Sequence, residues 1–441
     1  MRSKSTYVCQ QCGYESGKWF GRCPECQSWG GVVETLRDKR SRAGKASSAG
    51  RVGKKAVKLT SIPKRSTSRI STKISEFDRV LGGGLVSGQV VLVAGEPGIG
   101  KSTILLQVAD KLAKSKNQFL YVSAEESSHQ IALRAQRLGV KNKFVEILEE
   151  TDIDSVIDTI NNTSNLSGVV LDSIQTMTTT DLSGMAGSVG QVRECAYRIV
   201  QLAKRLNIPI FIVGHITKEG SVAGPAILMH IVDTVLWFEG DKSLTLRFMR
   251  AVKNRFGATD EVGIFSMEEK GLEPLSSPEK AFLTRDRKNL AGSSITSILQ
   301  GSRPILVEIQ SLVVPTKLAF PRRVAQGIDS KRLELLLAVL TRRCGLSLYE
   351  QDVFVNVAGG VNLRGDPSAD LAVSLSVASA FLDKPFPENC VAIGEVGLLG
   401  DIREVVAQDK RIKESKRLAY KTIISSEQVK YLREAIRKYL R

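Results

Sequence analysis

From about residue 74 to residue 275 the chain alternates short apolar runs with amphipathic stretches. The apolar runs at 90–94, 119–123, 169–172 and 209–213 predict strands, and the stretches 102–114, 130–138 and 189–206 carry helical periodicity. Strand and helix in alternation predict a parallel sheet with crossover helices. Between 233 and 267 the pattern changes to three β-rich runs separated by short turns, so the sheet is expected to end in antiparallel strands. After Pro278 a third region mixes strands with helices at 331–341 and 368–382. Two further segments precede the alternating region. Residues 1–34 hold a cysteine-rich module, and residues 35–73, rich in Ser, Lys, Arg, Gly and Ala, read as a flexible linker. The expected organisation is therefore 1–34, 35–73, 74–277 and 278–441, and no internal repeat is visible.

A chain of 441 residues has room for about three domains at roughly 150 residues each. With 42% hydrophobic and 25% charged residues, global disorder is excluded. No apolar run is long enough to span a bilayer, and Met1-Arg2-Ser3-Lys4 leads into a cysteine pair without an apolar signal core, which sets a cytoplasmic expectation. The net charge is +17. It is concentrated between Arg37 and Lys73, where 13 basic residues face the single acid Asp38. Such a segment reads either as a polyanion contact, with nucleic acid the commonest polyanion, or as a soluble tether.

Cys9-x-x-Cys12 and Cys23-x-x-Cys26 are two knuckles separated by ten residues. Four soft thiolates in this spacing suit tetrahedral Zn²⁺. Gly13 and Pro24 supply turn chemistry around the metal. A closed four-cysteine site has no open coordination position, so this zinc holds a fold together and does no catalysis. Trp19 and Phe20 lie between the knuckles, placed either to pack over the zinc loop or to stack on a base. Cys195, Cys344 and Cys390 are scattered and read as buried apolar thiols.

Gly95-Glu96-Pro97-Gly98-Ile99-Gly100-Lys101-Ser102 matches G-x-x-x-x-G-K-[ST], follows an apolar strand and opens a helix. Its glycines let backbone N–H groups turn towards phosphate oxygens, and the helix N-terminus adds its dipole. Lys101 is expected to reach the β- and γ-phosphates of ATP, Ser102 to ligate Mg²⁺, and Thr103 to complete the nucleotide-binding run. Asp172, closing the apolar run 169–172, is the expected second Mg²⁺ ligand. Hydrolysis also needs a carboxylate to orient water, and the strand at 119–123 runs into Ala124-Glu125-Glu126, at a strand end where sites collect.

Together the P-loop, Glu125-Glu126 and Leu171-Asp172-Ser173 resemble the RecA-like ATPase core. Lys253-Asn254-Arg255-Phe256-Gly257 is similar to the signature motif of the bacterial RadA (Sms) DNA repair family. That family carries a four-cysteine zinc finger, a RecA-like ATPase and a Lon-protease-like α+β domain, in the order found here, and the resemblance covers essentially the whole chain. It implies a DNA-dependent ATPase of recombination and repair, binding single-stranded and branched DNA and promoting branch migration as a helicase-like ring motor. It places Glu125 as the catalytic glutamate, with Glu126 as its neighbour. Lys253 and Arg255 become trans-acting fingers on a neighbour's γ-phosphate, which implies a homo-oligomer, a hexamer as in DnaB-type helicases. Residues 178–190 and 217–224 fall at the positions of DNA-binding loops, His215 at that of a sensor, and a RecA-type recombinase is the implied protein partner.

Gly359-Gly360, 365–370 and 392–396 resemble the Lon proteolytic domain, with Ser368 at the nucleophile position. The lysine that Lon needs is replaced by Gln408, with Lys410 two residues further on, and Gln is no base. Ser368 also has a structural reading, with Asp366 as N-cap and Pro367 in the first turn of a helix. The alternative function, an ATP-dependent Lon-like protease, therefore starts at a disadvantage.

Overall fold

The structure is a computed structural model that describes residues 5–9, 14–25, 27, 29, 32–36, 58, 60, 68–215, 224–240, 246–275, 277, 279–283, 290–363 and 365–440. The chain divides into two compact units, Met1–Pro274 and Leu275–Arg441.

In the first unit, β1 (Ser5–Cys9), β2 (Glu15–Ser16) and β3 (Val32–Leu36) form a small antiparallel sheet in the order β2-β1-β3. The larger sheet of this unit begins with the helix α1 (Ser75–Leu81). Then β4 (Val90–Gly95), α2 (Lys101–Leu112), β5 (Gln118–Ser123), α3 (Ser128–Arg137), β6 (Val145–Glu149), α4 (Ile153–Asn162), β7 (Leu166–Asp172), α5 (Val189–Leu206) and β8 (Ile210–His215) alternate. After α6 (Gly224–Ile231) come β9 (Thr234–Glu239), β10 (Leu246–Asn254), β11 (Val262–Glu268) and β12 (Gly271–Pro274). Among the described residues the sheet has nine strands in the order β12-β11-β10-β9-β4-β8-β7-β5-β6. Pairing is parallel from β9 through β6 and antiparallel from β9 to β12. The expected antiparallel end is thus present, although its first strand pairs parallel with β4.

The continuous apolar runs follow from burial on both faces. In β4, Val91 and Val93 enter the core beneath α1 and α2, whereas Val90, Leu92 and Ala94 enter the core beneath α4 and α5. The amphipathic elements α4 and β6 escaped the strand-and-helix reading because their exposed faces dilute the apolar signal: β6 has no fully buried residue.

Part of the segment expected as tether belongs to the fold. Ile70 bridges Leu85, Thr72 is fully buried, and the Thr72 N–H and hydroxyl donate to Asp78 Oδ1 at 2.9 and 2.7 Å. Residues 37–57, 59 and 61–67, which carry most of the basic charge, lie outside the described residues.

The second unit holds α7 (Glu279–Phe282), β13 (Ser293–Gln300), β14 (Arg303–Pro315), β15 (Arg323–Gln326), α8 (Ser330–Cys344), β16 (Gln351–Val357) and α9 (Asp370–Leu382). It continues with β17 (Cys390–Ala392), β18 (Glu395–Val396), β19 (Ile402–Arg403), α10 (Gln408–Arg417), β20 (Thr422–Ile424) and α11 (Leu432–Tyr439). Its main sheet runs β13-β14-β16-β15, and α9 packs on it. Nearly all of α9 is buried, so its small residues Ser374, Ser376 and Ser379 admit close approach.

Among the described residues no helix is long and apolar enough to cross a membrane.

Candidate functional site

The nucleotide site is built at the C-terminal ends of four adjacent strands, β4, β8, β7 and β5. Register brings them level: Gly95 pairs with His215, Leu171 with Ile212, and Ser123 with Asp172. The P-loop leaves β4 at Gly95, where a Cβ would stand 2.4 Å from the Phe238 carbonyl oxygen. Gly100 adopts φ +115°, and a Cβ there would stand 2.9 Å from Leu272 and Met267, so the turn into α2 tolerates only glycine. Lys101 is buried, and its Nζ donates to the carbonyls of Gly95 and Glu96 at 2.9 Å each. Burial pushes its pKa down to about 8, against the opposing pull of Asp172 and Glu125. Both carboxylates therefore face the P-loop lysine.

Asp172 is 7% exposed and accepts a 2.5 Å hydrogen bond from the Tyr121 hydroxyl on β5. Ser102, in the first turn of α2, neighbours the same phenol. A buried carboxylate and a hydroxyl that both neighbour the Tyr121 phenol are oxygen donors of the kind a hard divalent cation takes. Ser102 and Asp172 are the residues that would hold Mg²⁺, whose chemistry is to neutralise charge on the phosphate oxygens. Glu125 accepts from the Ser173 hydroxyl and lies 3.4 Å from His215 Nε2. The imidazole first, then Ser173 and the charge of Lys101, hold its carboxyl below the usual range despite burial, so it is ionised at neutral pH. Glu126 points elsewhere and pairs with Arg134. Of the two glutamates the fold brings only Glu125 to the lysine.

Lys253 and Arg255 are on β10 and just after it, and not beside the P-loop of their own chain. Lys253 pairs with Val235, which is level with Leu92, three residues back from Gly95. Arg255 N–H donates to the Asp233 carbonyl, and the Asp233 N–H donates to that of Val90. At about 3.3 Å per residue the two sit roughly 10 and 16 Å from Gly95 along the sheet. Lys253 Nζ donates to the carbonyls of Met229, His230 and Val232 at 2.8, 3.3 and 2.8 Å, capping α6. Arg255 lies 3.4 Å from Asp233, which Lys204 also pairs, and is more than half exposed.

Of the expected loops, 178–188 is ordered. Gln191 accepts from Thr179 N–H and donates to the carbonyls of Thr179 and Leu182 at 3.1 and 2.8 Å, while Arg198 pairs Asp154, Asp181 and Glu194. Its Met185 is 86% exposed. Residues 217–223 of the other loop lie outside the described residues, and Gly224 opens α6.

In the N-terminal module Cys9, at the end of β1, and Cys23 are buried. Cys9 N–H donates to Tyr14 C=O and Gln27 N–H to Cys23 C=O, each at 2.9 Å, so the chain curls around both positions. Two thiols buried in so small a module fit a metal-held knuckle. Cys12 and Cys26 lie outside the described residues. Phe20 packs edge-on against Tyr14 and Trp19 is exposed. Cys195 and Cys390 are buried thiols, each pushed up to about 12 by burial, whereas Cys344 is only half-buried.

In the second unit Ser368 is fully buried in a 3-10 turn, Pro367–Ala369, just ahead of α9. Asp366 accepts from the Ser368 N–H at 3.1 Å, as an N-cap does. Arg411 Nη1 donates to Ser368 Oγ at 2.6 Å, and Nη2 donates to Asp366 at 3.0 and 3.2 Å. Gln408 is buried and donates to Glu427, and Lys410 is exposed. The guanidinium on the Ser368 hydroxyl cannot accept its proton, and the neighbouring Asp366 carboxylate is itself paired with Arg411, so neither neighbour takes the part of the neutral lysine that Lon needs.

Fold and site define an α/β P-loop ATPase core, preceded by a zinc ribbon and followed by a β-rich domain. The family described as "AAA domain" matches residues 57–221, and "Rubredoxin metal binding domain" matches 7–34. A protein of Bacillus subtilis (strain 168) named "DNA repair protein RadA" is 50% identical over 426 residues, 96% of this chain and 92% of that protein. One of the same name from Halalkalibacterium halodurans is 45% identical over the same shares. A solved chain described as an ATPase domain superposes with a TM-score of 0.41 at 12% identity, covering 47% of this chain and 91% of that one. The chain belongs to the DNA repair protein RadA family.

Proposed function

We propose that this protein is a DNA-dependent ATPase of recombination and repair. It binds single-stranded and branched DNA and drives branch migration as a ring-shaped, helicase-like motor, with ATP at the junction between subunits. The observation that carries the reading is the position of Lys253 and Arg255, at the end of the sheet remote from their own P-loop. A cation there serves hydrolysis only in a neighbour's site, which calls for a closed homo-oligomer, a hexamer in our reading. Within one subunit, Lys101 leaves the loop carbonyls for the β- and γ-phosphates, and the backbone of Gly95–Thr103 cradles them. Glu125, ionised and held by Ser173, orients the attacking water, with His215 as sensor beside it. Residues 178–190 and 217–224 contact DNA. The zinc ribbon (1–34, on Cys9, Cys12, Cys23 and Cys26) and the basic segment (35–73) precede the ATPase domain (74–277), and the Lon-like domain (278–441) serves assembly or DNA binding. A RecA-type recombinase is the proposed protein partner.

The deciding experiment is the ATPase rate with and without single-stranded DNA. A motor is stimulated, and an unchanged rate would reduce the protein to a nucleotide-gated scaffold. The Lon-like protease reading has no support in the Arg411–Ser368 contact, and ATP-dependent casein degradation would restore it.

A further inference from the structure

The 253–257 motif is fastened to the start of the ATPase fold by one side chain. The Arg69 guanidinium donates to three carbonyls from two separate segments: Leu81 and Gly84 at 3.0 Å each, and Phe256. Leu81 closes α1, so its carbonyl is an orphan that needs a donor, and Asn254 Nδ2 also reaches it at 3.4 Å. Gly82 adopts the left-handed conformation that ends α1, at φ +81°, and the guanidinium and Gly257 both lie within van der Waals reach of that turn. Lys204 lies over the Phe256 ring, 5.6 Å from its centre, and pairs with Asp233, which also holds Arg255. The motif is thus held by Lys204 and Asp233 and, separately, by Arg69.

We propose that Arg69 is a positioning residue for the 253–257 motif, fixing where Lys253 and Arg255 are presented to the neighbouring subunit. The inference rests on the trans-finger reading above. Its physical basis is the planar fork of arginine, whose two terminal nitrogens donate in a fixed geometry to carbonyls of two separate segments. Arg69 lies within the basic segment (35–73), at the point where that segment joins the core, since Ile70 next to it is already bridged to Leu85. Any pull on that segment therefore acts on the residue that holds the motif.

The test uses full-length chains carrying two different affinity tags, co-expressed and purified through both tags so that only mixed oligomers are assayed. Arg69→Ala alone should bind an ATP analogue within about threefold of wild type, yet hydrolyse ATP at least about tenfold more slowly. Co-assembled with Lys101→Ala, it should regain activity, because its intact P-loop meets an intact motif on the other subunit. A merely structural defect in Arg69→Ala would not be repaired in this way. Lys253→Ala with Lys101→Ala is the control for the trans reading. Recovery in the control but not with Arg69→Ala overturns the proposal alone. No recovery in either, or no doubly tagged oligomer, overturns the trans reading and the proposal with it. Should Arg69→Ala fail to fold, Arg69→Lys, which keeps the charge and the chain length, takes its place in the same comparison.

Discussion

Arg411→Met tests whether the buried charge network has replaced a protease site with a structural clamp. The side chain is 2% exposed and makes five polar contacts: Ser368 Oγ at 2.6 Å, both Asp366 oxygens, the Ser297 carbonyl, and the Val406 carbonyl at 3.0 Å. Methionine keeps an unbranched apolar stem but removes the guanidinium, and leaves Asp366 a half-buried carboxylate without its partner. Breaking a buried pair from one side costs about 3–5 kcal/mol, against a domain stability of roughly 5–15 kcal/mol. The double substitution with Asp366→Asn removes the abandoned charge and should recover about 1–3 kcal/mol.

The pH dependence has a defined sign. Burial alone would raise the Asp366 pKa, but Arg411 and the hydrogen bonds from Ser368 outweigh it and hold it below the ordinary carboxyl value. Its contribution is therefore present above the unfolded value and lost as pH falls through the lowered folded one. In Arg411→Met burial is opposed only by the Ser368 hydrogen bonds, so the variant's deficit is largest near neutrality and narrows in acid.

Tryptophan fluorescence is blind to this unit, since Trp19, Trp29 and Trp237 all precede residue 275. Hydrogen exchange on peptides from β13, β14 and α9 is the suitable assay. The expected loss of protection is roughly 150- to 4000-fold at neutral pH. A loss under about tenfold would refute the reasoning, because the network would then contribute no more than an ordinary surface pair.

The ATPase site yields two further expectations. Lys101→Ala removes the charge facing the β- and γ-phosphates and should lower hydrolysis by orders of magnitude; undiminished turnover places the nucleotide elsewhere. Glu125→Gln keeps the size and the Ser173 contact but loses the carboxylate, so ATP-analogue binding should persist while turnover falls about 10²- to 10⁴-fold. In the N-terminal module, Cys9→Ala should release zinc, seen by metal analysis, and unfold residues 1–34 while the ATPase core melts as before. Full zinc retention would refute the four-cysteine site.

The features legible in the sequence are those whose physics is local. The P-loop is contiguous, and its glycines are dictated by the turn they must make, so Gly95–Thr103 and the start of α2 were readable as a string. Strands buried on both faces announce themselves as apolar runs, and α5 emerged at its observed bounds because its amphipathic pattern is long. The two cysteine knuckles are likewise a matter of spacing.

Tertiary structure alone decided which distant groups meet. The strand order β4-β8-β7-β5 sets Glu125 against Ser173, 48 residues away, and against His215. It lays Tyr121 on Asp172, 51 residues away. The same order removes Lys253 and Arg255 from their own P-loop, a separation that no linear spacing encodes. Arg69 and Phe256 are 187 residues apart, and Arg411 and Ser368 are 43. A hydrogen bond between such groups leaves no periodic trace, because each residue on its own is an ordinary polar side chain. Its role arises only when long-range packing takes water away and leaves one partner in reach.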